Sequence, residues 1–178
     1  MDKIGQRAAS VKRKRIISLL ICMLLVLNVV CLTGCGAGKK WKDGKCTISI
    51  ECSSILDNME ALKETKKEFV PSDGWILKET EVSFKGGETA FDVLKQICGK
   101  KGIHMASRYT PLYKSYYVEG INQLYEFDCG KNSGWMYSVN GEYPNYGASS
   151  YNLKDGDKVE WRYTCNLGSD VGDKYEGK

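Results

Sequence analysis

The segment from Gly134 to Gly147 constrains the fold most strongly, because it encodes a strand that ends in a tight turn. Trp135, Tyr137 and Val139 occupy every second position, which places them on one face of an extended chain. Asn140-Gly141 follows, and these two residue types adopt the positive φ angles that a two-residue hairpin turn requires. The pattern predicts a stiff hairpin at this point of the chain.

An aromatic loop follows the predicted turn. Tyr143 and Tyr146 flank Pro144, which lacks the backbone N–H that a central strand would use. In one interpretation these rings only cap a small core, since aromatic side chains dominate burial in small domains. In the other interpretation they form the rim of a binding site for a flat ligand.

The N-terminus predicts a secretory leader. Six basic residues precede an apolar run over residues 16–30, an arrangement that is typical of a signal peptide. The run ends in Leu32-Thr33-Gly34-Cys35, which resembles the cleavage box of bacterial lipoproteins and implies cleavage before a lipidated Cys35. The alternative is an uncleaved anchor, because the run is near the lower length limit of a spanning helix. Both interpretations predict a domain on the extracytoplasmic face of the bacterial cell membrane, and the first predicts that lipid anchors it there.

The leader also carries the excess positive charge. Six of the 26 Lys and Arg residues and one of the 22 Asp and Glu residues precede Cys35, which leaves 20 basic against 21 acidic residues. A nearly neutral domain without a basic stripe argues against nucleic acid as a partner.

The length after the leader suits one domain with a single core. We expect residues 1–34 to be the signal peptide and residues 35–45 to be the lipidated cysteine with a short tether. Residues 46–168 are expected to form the folded domain, and residues 169–178 a flexible tail.

Five cysteines lie in the predicted domain: Cys46, Cys52, Cys98, Cys129 and Cys165. The sequence has no Cys-x-x-Cys pair and a single histidine, His104, so a structural zinc site is not expected. An extracytoplasmic location permits disulfides. Cys52 and Cys165 are the first choice of pair if the first and last strands are neighbours. The alternative is that all five are buried as small apolar residues.

Hydrophobic periodicity predicts the secondary structure. Alternation predicts strands over residues 46–52 and 159–165, and further extended segments over 75–77, 81–84, 104–109, 116–121 and 124–129. Thr89 and Asp92 form a capping-box pattern before the clearest helical periodicity in the chain, and Gly99 or Gly102 would end that helix. The predicted fold class is α+β, in which one principal helix packs across a mixed or antiparallel sheet.

Three segments together resemble a known family: residues 88–94, 133–141 and 151–161. They are similar to the bacterial DUF4430 domain, which in turn is similar to the C-terminal domain of transcobalamin and intrinsic factor. The resemblance covers roughly residues 47–167 and implies a β-grasp-like sheet. It carries a ligand-contacting role to Trp135, Pro144, Gly147 and Tyr151, which border the aromatic hairpin. The predicted binding residues are therefore Trp135, Tyr137, Tyr143, Pro144, Asn145, Tyr146, Gly147 and Tyr151.

The function that the resemblance implies is a cell-surface lipoprotein that binds cobalamin or a related corrinoid and delivers it to a membrane importer. His104 could ligate cobalt, but as a lone histidine in a predicted strand it is interpreted as a structural or merely exposed residue, and no cofactor is expected to be required. The alternative is a non-catalytic module that uses the same aromatic residues to bind a protein or a glycan. We do not expect an enzyme, because the sequence shows neither a paired set of titratable groups nor a base beside a nucleophile.

Overall fold

The computed structural model describes residues 41–173, and the predicted leader and Cys35 lie outside them. In order, the elements are β1 (Gly44–Glu51), α1 (Ser53–Leu56), β2 (Trp75–Phe84), α2 (Ala90–Lys101), β3 (Met105–Thr110), β4 (Ser115–Ile121), β5 (Leu124–Tyr125), β6 (Gly134–Val139) and β7 (Lys158–Thr164). Short 3-10 turns cover Glu64–Phe69, Ala148–Ser150 and Ser169–Val171. Neither of the described α-helices is long and apolar enough to span a membrane.

Four strands form the main sheet, in the order β2-β1-β7-β6. The first and last strands, β1 and β7, run parallel at its centre, while β2 and β6 pair antiparallel on the outside. The alternation seen in the sequence accounts for the buried face, since Ile48, Ile50, Val159, Trp161 and Tyr163 are each at most 3% exposed. The predicted α+β class is confirmed.

Helix α2 packs its apolar face into the same core as the main sheet. Its N-terminus is closed by a capping box, in which the Thr89 hydroxyl accepts from the Asp92 N–H at 3.2 Å and the Asp92 carboxylate accepts from the Thr89 N–H at 2.9 Å. Its C-terminus is closed by Gly102, whose φ of 68° suits glycine. The buried residues of α2 are Ala90, Phe91, Val93, Leu94, Ile97 and Cys98.

A second, small sheet has the order β3-β4-β5 and lies between α2 and β6 in the sequence. The predicted strand over residues 124–129 is wrong beyond Tyr125. The Asp128 carboxylate accepts the Tyr125 N–H at 2.8 Å, and Phe127 has a φ of 64°, so the backbone turns instead of extending. This local hydrogen bond competes with strand pairing, as is common for aspartate.

The folded part extends further than predicted at both ends. β1 begins at Gly44, inside the predicted tether of residues 35–45. At the other end, Val171 is buried and its carbonyl accepts from the Tyr143 hydroxyl at 2.6 Å and from Arg162 Nη1 at 2.9 Å. These contacts hold Ser169–Val171 against the sheet, so the predicted flexible tail does not begin at Ser169.

The cysteines are not arranged as the first choice of pairing predicted. β1 and β7 are neighbours, but Cys52 is fully buried in the core. Cys165 Sγ instead lies 3.2 Å from Cys129 Sγ. The prediction that β1 and β7 are neighbours was correct. Strand adjacency alone does not indicate the directions in which the Cys52 and Cys165 side chains point.

Candidate functional site

The floor of the candidate site is an aromatic layer on β6 and β7. Tyr137 stacks on Trp161 with ring centroids 5.5 Å apart, and Trp135 meets Tyr163 edge to face at 5.3 Å. The indole N–H of Trp135 donates to the Leu124 carbonyl at 2.8 Å, which ties the main sheet to the small sheet. The layer exists because the alternating residues of two paired strands meet on one face.

The turn at Asn140-Gly141 fixes the strand end that leads into the site. Both residues have positive φ angles, 55° and 82°, as predicted for this hairpin turn. The Asn140 side chain also donates to the Asp157 carboxylate at 2.9 Å and accepts the Lys158 N–H at 2.8 Å. The turn is therefore anchored to the start of β7 by side-chain bonds as well as by its own backbone.

The loop over residues 143–147 forms one wall and is held at three points. The Tyr143 hydroxyl donates to the Val171 carbonyl, as described above, and the Tyr137 hydroxyl donates to the Tyr146 carbonyl at 2.8 Å. The Tyr146 ring stacks on Tyr151 with centroids 6.2 Å apart. The aromatic loop predicted from the sequence is thus an ordered wall that leaves the Tyr146 ring half exposed.

The opposite wall comes from β4, which the sequence analysis did not include in the site. Tyr116 stacks on Phe91 of α2 at 4.8 Å and meets Tyr109 of β3 edge to face at 5.3 Å. Its neighbour Tyr117 donates its hydroxyl to Glu126 at 2.7 Å. The Tyr116-Tyr117 pair in a predicted strand is the signal in the sequence, but nothing local indicates that β4 faces β6.

Between the two walls lies an open groove of about 630 Å³, which we call the aromatic groove. Its lining residues are Tyr116, Tyr117, Val118, Trp135, Met136, Tyr137, Tyr143, Pro144, Asn145, Gly147, Ala148, Trp161 and Asp173. A second depression of about 570 Å³ adjoins it and shares Tyr116, Tyr117, Pro144, Asn145 and Gly147. The second depression adds charged residues, since Arg108 and Glu126 line it and Arg108 Nε is 2.7 Å from Glu119.

Six of the eight predicted binding residues line the aromatic groove: Trp135, Tyr137, Tyr143, Pro144, Asn145 and Gly147. Tyr146 lines the adjoining depression instead. Tyr151 lines neither depression, and its ring stacks on that of Tyr146. Trp135 and Tyr137 are only 6% and 8% exposed, which makes them supporting core residues as much as contact residues. The binding role of the set stays a prediction.

The groove presents neutral phenols. Burial raises the pKa of Tyr143 and of Tyr137, and burial together with the hydrogen bond to Glu126 raises the pKa of Tyr117. These side chains therefore remain protonated at physiological pH. Each hydroxyl donates its proton within the protein, so a ligand would meet apolar ring faces and uncharged acceptor oxygens. A surface of this kind suits a flat, mostly apolar ligand that carries some polar groups.

His104 lies away from the groove. Its Nε2 is 3.3 Å from the Tyr125 hydroxyl, and its ring tilts against the Tyr125 ring with centroids 5.7 Å apart. Its role stays a prediction. Within residues 41–173, no group of three or more His, Cys, Asp or Glu side chains is arranged to hold a metal ion.

Gly147 lets the loop approach β4 closely. An added Cβ would overlap the Ser115 side chain, which is buried. The Ser115 hydroxyl oxygen also lies 2.8 Å from the Ser149 hydroxyl oxygen. The φ of Gly147 is −67°, which alanine tolerates, so the conflict is purely steric. We expect Gly147→Ala to lower the free energy of unfolding by about 1–3 kcal/mol in urea titrations, the usual cost of overpacking.

A second substitution serves as the control for this steric explanation. Ser115→Gly removes both atoms that the new methyl group would meet. In the double variant, Gly147→Ala with Ser115→Gly, the loss of unfolding free energy should therefore be smaller than the sum of the two single losses. Strict additivity would contradict the explanation.

Residues 87–165 match the family described as "Domain of unknown function (DUF4430)", which confirms the resemblance stated from the sequence. No curated protein matches the chain. A crystal structure of haptocorrin in complex with Cbi matches with a TM-score of 0.50 and 17% identity, and covers 77% of this chain and 29% of haptocorrin. The shared property at this identity is the fold, and the chain spans less than a third of that protein's length.

A second solved structure is similar over a smaller part. It is a "putative metal binding protein" from Ruminococcus gnavus ATCC 29149, with a TM-score of 0.39 and 15% identity, and the match covers 68% of this chain and 96% of that one.

Proposed function

We propose that this protein binds cobalamin or a related corrinoid in the aromatic groove. The observation that carries the proposal is the groove itself, an open apolar trough between the Tyr143–Gly147 loop and β4 with a Trp and Tyr floor. The fold match to haptocorrin in complex with Cbi supports the choice of ligand class. A corrinoid fits the requirements because it is broad, flat and apolar on its faces, with amide groups at its edge.

In this proposal the two walls hold opposite edges of the ligand. Tyr116 and Pro144 provide apolar faces, and the Asn145 amide and the neutral Tyr117 hydroxyl provide polar contacts at the rim. The groove is open on one side, so it buries less of the ligand than an enclosed cavity would. We expect micromolar affinity, roughly −8 kcal/mol.

We also propose binding without catalysis. The single histidine of the sequence contacts Tyr125 and does not line the groove. Asp173 is the one carboxylate among the described residues that line the aromatic groove, and these include no Ser, Cys, His or Lys side chain. In the adjoining depression Glu126 accepts from Tyr117, and Arg108 pairs with Glu119. An arrangement of this kind supplies neither a free general base nor an activated nucleophile.

The membrane location belongs to the same proposal. A lipid on Cys35 would hold the domain on the extracytoplasmic face, where captured ligand could pass to a membrane importer. A single acyl chain binds a membrane only marginally, so more than one chain is expected on Cys35. We expect Cys35→Ala to shift the protein from the membrane fraction to the medium or to block its processing. An unchanged distribution and an unchanged mass would contradict lipidation.

A protein- or glycan-binding module is the second candidate function. It is favoured by the exposed side chains at the β3–β4 turn, where Tyr109, Leu112 and Tyr113 are 50%, 81% and 73% exposed. Exposed aromatic and apolar clusters of this kind are common in interaction surfaces.

Isothermal titration of the full chain in detergent with cyanocobalamin and with cobinamide tests the first function. We expect saturable heat with one site per chain. The detergent alone serves as the blank, and the heat-unfolded protein shows whether the heat requires the fold. No heat with either ligand, from protein whose circular dichroism shows it to be folded, would overturn the corrinoid proposal and direct attention to protein and glycan partners.

A further inference from the structure

Two cysteines meet where the end of the last strand contacts the loop after β5. Cys129 is 2% exposed and Cys165 is partly exposed, and their sulfur atoms are 3.2 Å apart although 36 positions separate them in the sequence. A disulfide requires sulfur atoms about 2 Å apart. The two side chains therefore need to approach by only about 1 Å.

The backbone on both sides of the pair is held in place. The Cys129 N–H donates to Ser133 Oγ at 3.1 Å, and the Tyr163 hydroxyl donates to the same oxygen at 3.0 Å. The Cys165 N–H donates to the Asp170 carboxylate at 2.7 Å. The contact between the sulfurs is thus a product of an ordered framework rather than of two mobile loops.

We propose that Cys129 and Cys165 form a disulfide that closes the C-terminal segment onto the β5–β6 loop. This inference goes beyond ligand binding, but it rests on the proposed extracytoplasmic location, because such compartments allow disulfides to persist. The oxidant is a disulfide, either that of a dithiol oxidase or oxidised glutathione itself.

The exchange proceeds in two balanced steps. Cys165, the more accessible thiol, loses its proton and attacks the oxidant disulfide, which forms a mixed disulfide and releases one thiolate. Cys129 then loses its proton and attacks Cys165 Sγ, which releases the second thiolate. The two thiolates take up the two protons, so that the oxidant disulfide gains two electrons and becomes two thiol groups.

The other three cysteines of the domain are suited to remain thiols. Cys46, Cys52 and Cys98 are each at most 2% exposed. Burial raises the pKa of these three thiols, as it does for Cys129 and Cys165, so the difference between them lies in access to the oxidant and not in thiolate population. The burial of these three sulfurs also keeps an external oxidant away from them, in contrast to Cys165.

The disulfide would also stabilise one end of the aromatic groove. Cys165 begins the segment whose Val171 carbonyl binds Tyr143 and Arg162, and Asp173 of this segment lines the groove. A bond between Cys165 and Cys129 would reduce the conformational freedom of the unfolded chain. In the folded protein it would hold the start of this segment beside the groove.

Peptide mapping of the full chain tests the bond directly. The protein is extracted with iodoacetamide and without reductant, and digested with trypsin. We expect the peptides that span residues 115–131 and 163–174 to appear as one covalent pair, and to separate when reductant is added before alkylation. Cys98→Ala should leave the pair intact, and Cys165→Ser should abolish it and leave Cys129 alkylated.

A second arm separates this inference from the proposed location. Reduced, purified full chain is treated with oxidised glutathione before the same digestion. Recovery of both peptides only as alkylated single species, in this arm as well as in the extract, would overturn the inference. Pair formation in this arm but not in the extract would support the bond and contradict the extracytoplasmic location. Where the bond is present, reductant should lower the melting temperature of the wild type by about 10 °C and leave that of Cys165→Ser unchanged.

Discussion

Trp135→Ala is expected to lower the free energy of unfolding by about 3–5 kcal/mol, the usual cost of removing a large buried aromatic side chain. Trp135 is 6% exposed, packs edge to face on Tyr163, and bonds the Leu124 carbonyl through its indole N–H. The substitution would therefore open a cavity in the floor and release one link between the two sheets. Urea unfolding followed by circular dichroism measures the effect.

Trp135→Phe separates the two contributions. It keeps most of the ring volume but leaves the Leu124 carbonyl without its indole donor, which should cost about 1–3 kcal/mol. If the alanine variant proved as stable as the phenylalanine variant, the packing contribution would be refuted. Because the alanine change weakens the whole domain, a loss of ligand binding in that variant would not identify Trp135 as a contact residue.

Removing exposed rings from the groove is expected to weaken corrinoid binding while the domain stays folded. Tyr116 is 43% exposed and lines both the aromatic groove and the adjoining depression. Tyr116→Ala should reduce the affinity for cobinamide about tenfold, or about 1.4 kcal/mol, because an aromatic anchor at the centre of a binding surface commonly contributes this much. Isothermal titration at a temperature where the variant is fully folded measures it.

Phe127→Ala is the matched control. Phe127 is 55% exposed and lines neither depression, so its removal deletes an exposed ring of similar size elsewhere on the surface. Its affinity should equal that of the wild type. Equal losses in both variants would indicate nonspecific adsorption to exposed rings, and no loss in Tyr116→Ala would remove β4 from the binding surface.

Residues whose environment is set within a few positions were predicted correctly. The Asn140-Gly141 turn, the Thr89–Asp92 capping box and the buried alternation of β7 all depend on contacts between near neighbours or on one strand's own pattern. The strand at residues 124–129 failed for a local reason as well, since the Asp128 carboxylate captures the Tyr125 N–H. The sequence does contain that aspartate, but a short run of apolar residues obscures its effect.

The sequence by itself determined most of the elements and their buried faces, because periodicity and turn chemistry act over short distances. Six lining residues of the groove were predicted from the aromatic pattern together with the family resemblance. Only the tertiary structure decided that Tyr116 and Tyr117 of β4 face the 143–147 loop, that Tyr151 stacks on Tyr146, and that Cys165 meets Cys129 rather than Cys52. These outcomes depend on how two separate sheets pack and on which way side chains point at strand ends. Contacts between residues tens of positions apart arise from the packing of the whole core, and no local pattern encodes them.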